Sequence, residues 1–123
     1  MRKKHNDRGM QIKSKIWIEI AGEPVFGRGR RFLLEAIDSH GSINRAARET
    51  GVSFRKAWSH IKAMEERLGV KLVDRTVGGR NGGGAVITAD ARTILKQFET
   101  LENDVRKIVD SRFAALFQGG PHV

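Results

Sequence analysis

Side chains suited to contacting bases and phosphates recur along one face of a predicted helix that runs from about residue 54 to residue 68. The apolar residues of this helix recur at spacings of four, three and four and define its buried stripe: Ala57, Ile61, Met64 and Leu68. Opposite that stripe lie Phe54, Arg55, Ser59 and Lys62, with Lys56 and His60 on the flanks. Arginine, lysine and serine donate hydrogen bonds to base edges and phosphate oxygens, so this face predicts a nucleic-acid contact.

The residues before this helix predict the turn of a helix-turn-helix. Ser42 can cap a short helix over residues 43–50, and Ser53 can cap the helix that follows. Between them, Ala47 leaves room for two helices to cross closely, and Gly51 permits a tight turn with positive φ. In such motifs the start of the second helix enters the major groove of DNA. The alternative is that the basic residues form an ordinary solvated helix face.

A glycine-rich segment, residues 78–84, separates two strand candidates at 72–75 and 85–87. It lacks the Gly-Lys-Ser/Thr ending of a phosphate-binding loop, and a strand rather than a helix follows it. The pattern favours a wing whose Arg80 and Asn81 lie along the DNA backbone or minor groove. The alternative is a flexible tip that contacts nothing.

A long helix is predicted over residues 89–117, capped by Thr88. Its apolar residues recur every three and four positions and predict a dimer interface: Ala91, Ile94, Phe98, Leu101, Val105 and Ile108. At 1.5 Å per residue the helix reaches about 43 Å, more than so small a domain can cover. We therefore expect a homodimer; the alternative is that the stripe packs only on its own domain.

The remaining segments complete an α+β, mostly α, winged helix-turn-helix fold. Residues 1–10 are polar and predict a flexible basic arm, and residues 118–123 predict a loose tail. Alternation over residues 11–20 predicts a half-buried strand, with Val25 and Phe26 as a short partner. A helix follows over residues 28–40, with a predicted buried face of Phe32, Leu33, Ala36 and Ile37. The DNA-binding domain is thus expected to span residues 11–88.

Composition narrows the function further. The net charge of +9 on 123 residues favours a polyanionic partner. There is no cysteine, the four histidines show no metal-ligand spacing, and no nucleophile motif is found, so we expect no metal, no cofactor and no enzymatic activity. No apolar run is long enough for a membrane span or a signal peptide, which predicts a cytoplasmic protein without a membrane partner.

Several segments together resemble a known family. Residues 41–47 (GSINRAA) and 51–53 (GVS) resemble the helix-turn-helix of LysR-type regulators. The ModE family of molybdate-responsive regulators is more similar still, through residues 16–19 (IWIE), the Ala-Trp pair at 57–58 and the glycine-rich wing at 78–88, followed by the long helix. The resemblance covers residues 12–117.

This resemblance implies a dimeric transcription regulator that binds a palindromic operator in double-stranded DNA. It places DNA contacts at Ser53, Arg55, Lys56, Ser59 and Arg80. Full-length members carry a molybdate-binding region after the dimer helix, whereas this sequence ends at Val123, so we do not expect molybdate binding within the chain. Two alternatives stay open: a sequence-nonspecific nucleoid-type DNA-binding protein, and a winged-helix module that binds another protein.

Overall fold

The computed structural model describes residues 9–76 and 84–118. In order along the chain, the elements are β1 (Ile18–Ile20), β2 (Glu23–Phe26), α1 (Arg28–His40), α2 (Ile43–Thr50), α3 (Phe54–Leu68), β3 (Val73–Arg75), β4 (Ala85–Ile87) and α4 (Ala89–Phe113), with a π-helical turn at Ala114–Gln118. Strands β1 and β2 pair antiparallel, as do β3 and β4. Within the described ranges this is an α+β fold that is mostly α, as the sequence predicts.

The chain divides into two compact units, of which the larger is Ile16–Lys96. Its core brings together apolar side chains from both small sheets and from the first three helices, including Phe26, Leu34, Ile37, Ile61 and Leu72. Helix α1 packs on α2 and on β4, and α2 packs on α3. The three helices therefore share one core, and the β3–β4 hairpin lies against α1.

Buried side chains of α1 follow i, i+3 and i+4 spacing from Leu33 and Leu34 to Ile37. Leu33 and Ile37 are buried as predicted, whereas Phe32 is exposed, Ala36 is half-buried, and Leu34 is buried in place of Phe32. The Arg31 guanidinium lies 5.0 Å from the centre of the Phe32 ring. A cation against its face makes this exposed position more favourable for the aromatic ring.

Only the last three residues of the predicted strand at 11–20 form a strand. The partner strand β2 is four residues long and α1 begins two residues after it, so residues 11–17 have no strand to pair with. Ile18 and Ile20 are also exposed, so the prediction of a half-buried face was wrong for the single chain.

The second unit comprises Met1–Lys15 and Gln97–Val123. Among its described residues, Phe98 is buried, and the rings of Phe113 and Phe117 stack with centroids 5.1 Å apart. The predicted helix over 89–117 is confirmed as far as Phe113, after which the π-helical turn replaces α-helical geometry. The predicted basic arm at 1–10 and loose tail at 118–123 lie almost wholly outside the described residues.

Candidate nucleic-acid interface

Capping and the inter-helix turn fix how α2 and α3 meet. The Ser42 side chain accepts a hydrogen bond from the Arg45 backbone N–H at 3.1 Å and starts α2. Gly51 has φ +77°, and the Val52 N–H donates to the Ala47 carbonyl at 2.9 Å. Ala47 is fully buried, as a close helix crossing requires. The helix-turn-helix predicted from the sequence is confirmed.

Helix α3 has one apolar face and one polar face. Ala57, Ile61 and Met64 are buried, while Leu68 is half-buried near its end. At its start, the Ser53 side chain accepts from the Lys56 backbone N–H at 3.0 Å. The predicted contact residues on the other face are all exposed: Phe54, Arg55, Lys56, Ser59 and Lys62. The start of α3, where a helix carries partial positive charge, is thus surrounded by basic and hydroxyl side chains.

His60 differs from these neighbours because it is half-buried. Its Nδ1 lies 3.3 Å from Nη2 of Arg30, where a neutral imidazole can accept from the guanidinium. Burial lowers the pKa of His60 below its usual 6.5, and the charges of Arg30 and Lys56 lower it further. Near neutral pH the ring is therefore an uncharged acceptor that anchors Arg30 of α1.

Three cations on this surface have no acidic partner in the part of the chain that the structure describes. Among the described residues, no carboxylate lies within ion-pair distance of Arg55, Lys56 or Lys62. By contrast, Arg92 binds both carboxylate oxygens of Asp38, at 2.9 and 3.2 Å. Positive charge that is not neutralised within the protein attracts an external polyanion.

The base of the hairpin is tied to the helix-turn-helix. Thr76 and Gly84 exchange backbone hydrogen bonds, and the Ala85 N–H donates to the Gly41 carbonyl at 2.9 Å. A Cβ on Gly84 would lie 2.8 Å from that carbonyl oxygen, so glycine is needed for this approach. The hairpin base thereby has a fixed position beside the α1–α2 turn. Arg80 and Asn81, the predicted wing contacts, lie outside the described residues.

Sequence reasoning missed three residues of this surface: Arg30, Trp58 and Arg75. The i, i+4 spacing of Trp58 and Lys62 could have indicated their contact. No local pattern could have found the contacts of Arg30 with His60 or of Arg75 with Trp58, because each joins residues distant in the chain. Glu65 also makes a contact between separate elements: its carboxylate accepts hydrogen bonds from the backbone N–H groups of Leu72 and Val73 and so holds the strand that follows α3.

The six predicted dimer-interface residues fall into three groups. Leu101 and Ile108 are 48% and 64% exposed, and Ile94 and Val105 are intermediate. Ala91 and Phe98 are 0% and 2% exposed within the single chain. Both side chains are already buried within the single chain, so they cannot offer surface to a partner without rearrangement.

In the described part of the chain, no group of three or more histidine, aspartate or glutamate side chains could hold a metal ion. No helix there is both long enough and apolar enough to cross a membrane.

Comparison with known proteins agrees with this geometry. Residues 32–92 match the family described as bacterial regulatory helix-turn-helix protein, lysR family. The chain is 41% identical over 70 residues to the transcriptional regulator ModE of Haemophilus influenzae, a match covering 57% of this chain and 28% of that protein. It is 39% identical over 85 residues to the molybdenum-pterin-binding protein MopB of Rhodobacter capsulatus, covering 69% of this chain and 32% of MopB. The chain thus spans about a third of the length of these relatives.

A solved structure also matches the fold. The crystal structure of the CbnR DNA-binding domain in complex with DNA has a TM-score of 0.53 and 29% identity, covering 70% of this chain and 94% of that domain. The predicted winged helix-turn-helix fold is confirmed. The chain therefore carries a helix-turn-helix domain of the bacterial lysR family, of the kind found in ModE-type regulators.

Proposed function

We propose that this protein binds double-stranded DNA and regulates transcription, with α3 lying in the major groove. One observation carries the proposal: the apolar face of α3 is covered by its own core, while its other face presents basic side chains that have no carboxylate partner within residues 9–76 and 84–118. A free cationic helix face next to a helix-turn-helix turn suits a base-edge contact flanked by phosphates.

Each exposed side chain of α3 has a role in this proposal. Arg55, in the first turn, has the planar fork that can donate two hydrogen bonds to a guanine edge. Lys56 and Ser59 contact bases or phosphates beside it, and Ser53, with the first backbone N–H groups of α3, faces a phosphate. Phe54, Lys62 and His60 border the contact, and Ser42 does so from the start of α2. At the wing, Arg80 and Asn81 are proposed to contact the backbone or the minor groove.

The similar proteins support this assignment. The CbnR DNA-binding domain was solved in complex with DNA, and the Haemophilus influenzae relative is a transcriptional regulator. In the corresponding proposal for this chain, residues 11–88 form the DNA-binding domain, the protein acts in the cytoplasm, and it catalyses no reaction. The molybdenum-pterin binding in the name of MopB is not extended to it, because the chain spans about a third of MopB.

We also infer a homodimer that binds a palindromic operator. Leu101 and Ile108 are large apolar side chains on α4 that lie seven residues apart and are both exposed to solvent. A seven-residue repeat returns to the same face of a helix and suits packing against a second helix. Residues 89–117 are therefore proposed as the dimerisation segment, with Leu101 and Ile108 central and Ile94 and Val105 beside them.

Selection of bound duplexes from a random pool tests this function. We expect one enriched sequence with two inverted half-sites, and weaker binding to a scrambled duplex of the same composition. Equal binding to both duplexes would favour the nucleoid-type alternative. No duplex binding at low salt would contradict DNA binding altogether and favour the protein-interaction module.

A further inference from the structure

One aromatic ring contacts two cations that come from different elements of the motif. The Lys62 ammonium lies 5.5 Å from the centre of the Trp58 ring, and both residues are on α3. The Arg75 guanidinium, at the end of β3, lies 5.0 Å from the same ring. Both distances are within the range of cation–π attraction. Trp58 therefore connects the proposed recognition helix to the first strand of the hairpin.

The two cations remain available to a ligand. Lys62 and Arg75 are exposed while Trp58 is half-buried, so the ring is fixed by the protein and the charged groups face solvent. No carboxylate in the described ranges lies within ion-pair distance of either cation. Two like charges brought to one ring repel each other, and an anion between or beside them would relieve that repulsion.

The position of this cluster indicates which anion it would bind. Lys62 lies two turns after Arg55 on the polar face of α3, and Arg75 directly precedes the hairpin base at Thr76 and Gly84. A backbone phosphate of a duplex whose groove holds α3 would pass between these two elements. The geometry points to a phosphate-binding site formed by Lys62 and Arg75, with Trp58 as the residue that positions both cations.

This inference rests on the proposed DNA binding and deepens it. A phosphate contact carries no information about the bases. The site would therefore position α3 and the hairpin along the DNA backbone, while Arg55 contacts the bases. Contact with the ring restricts the long lysine and arginine side chains before the duplex arrives, which lowers the entropy cost of ordering them on binding.

The salt dependence of duplex binding tests the site. Each neutralised phosphate contributes about 0.9 to the slope of log Kobs against log salt concentration. We expect the double variant Lys62→Ala/Arg75→Ala to lower that slope by about 1 to 2 units. Affinity should fall by similar factors on the selected and the scrambled duplex. Arg67→Ala, which removes an exposed cation from the last turn of α3, is the charge control and should retain the parent slope.

Trp58 is tested in the same titrations. Trp58→Leu should lower the slope as the double variant does, and should add no further effect in the double-variant background. Trp58→Phe keeps an aromatic face and should retain most of the slope, which separates positioning from a general loss of folding. Circular dichroism of each variant checks that the fold is intact.

The outcomes distinguish this inference from the proposed function. If Lys62→Ala/Arg75→Ala had the same salt-dependence slope as the parent protein and still bound DNA sequence-specifically, the phosphate site alone would be overturned. A slope in folded Trp58→Leu equal to that of the parent would overturn the positioning role of the ring. Absence of duplex binding by the parent protein would overturn both the site and the proposed function.

Discussion

Helices α3 and α4 are both amphipathic, yet each leaves a different kind of surface uncovered. Apart from Phe54, the exposed face of α3 is polar, and its cations Arg55, Lys56 and Lys62 have no carboxylate partner in the described ranges. On α4, Arg92 binds Asp38 and Arg106 binds Asn103, while Leu101 and Ile108 are exposed.

This difference shows which kind of binding partner each helix lacks within its own chain. Uncompensated charge on α3 is best neutralised by a polyanion, whereas exposed leucine and isoleucine on α4 are best covered by another apolar surface. DNA binding is thus assigned to α3, and the pairing of two chains is assigned to α4. Within a single chain, a substitution in one of these helices should leave the surface of the other helix intact.

The largest expected effect comes from placing charge on the exposed apolar residues of α4. Leu101→Glu/Ile108→Glu should yield a monomer in analytical ultracentrifugation, because four carboxylates would meet in the contact. Operator affinity should fall by about 100-fold or more, since one half-site is then bound alone.

Lys107→Glu is the matched control for this double variant. It lies at an exposed position of the same helix and changes the net charge by the same two units. It should leave the dimer intact. A parent protein that is already monomeric at the concentrations used for DNA titration would contradict the dimer assignment.

The buried stripe of α3 should dominate stability. Ile61 is 0% exposed, so Ile61→Ala should lower the free energy of unfolding by about 2–5 kcal/mol. Leu101→Ala removes a comparable side chain from the exposed face of α4 and should cost under about 1 kcal/mol in dilute samples. Urea denaturation of both variants measures the contrast, and equal losses would show that the two faces are buried alike.

A smaller effect is expected where a cation has an acidic partner. Arg92 and Asp38 form a bidentate pair, but both side chains are partly exposed, so solvent screens the interaction. Arg92→Ala should lower the free energy of unfolding by about 0–1 kcal/mol and less at high salt. The affinity of Arg92→Ala for DNA should match that of the parent protein. A large loss of affinity would contradict the claim that paired cations, unlike unpaired ones, do not contribute to DNA binding.

The smallest expected effect is a pH dependence of stability from His60. Its pKa is lowered in the folded protein, so between that value and 6.5 the unfolded chain binds more protons. Stability should therefore fall as the pH falls from 6.5 through the lowered pKa, and change no further from this group below it. Urea denaturation at several pH values should show a weaker dependence for His60→Gln, and identical profiles would exclude His60 as the cause.

Elements with strong local signals were predictable from the sequence. Helices α1, α2 and α3 begin and end at the positions predicted from the flanking glycine and serine residues, because helix capping depends on only a few neighbouring residues. The exposed polar face of α3 followed directly from its apolar period. The strand at residues 11–20 was overestimated, since pairing depends on how many residues the partner strand offers.

Contacts between distant segments were not predictable. The contact of Arg75 with Trp58, the contact of Arg30 with His60 and the hydrogen bonds of the Glu65 carboxylate to the β3 backbone each depend on the folded arrangement of separate elements. Likewise, the period of α4 identified one apolar stripe but could not show that Ala91 and Phe98 are covered by their own chain.

The central claim, that α3 reads the major groove, is tested most directly by titrating Arg55→Ala on the selected and scrambled duplexes. We predict that Arg55→Ala weakens binding to the selected duplex by about 1–3 kcal/mol and barely changes binding to the scrambled one. Arg67→Ala should bind both duplexes as the parent does. The account would be contradicted if Arg55→Ala bound the selected duplex as tightly as the parent protein does, or if it lost equal affinity for both duplexes.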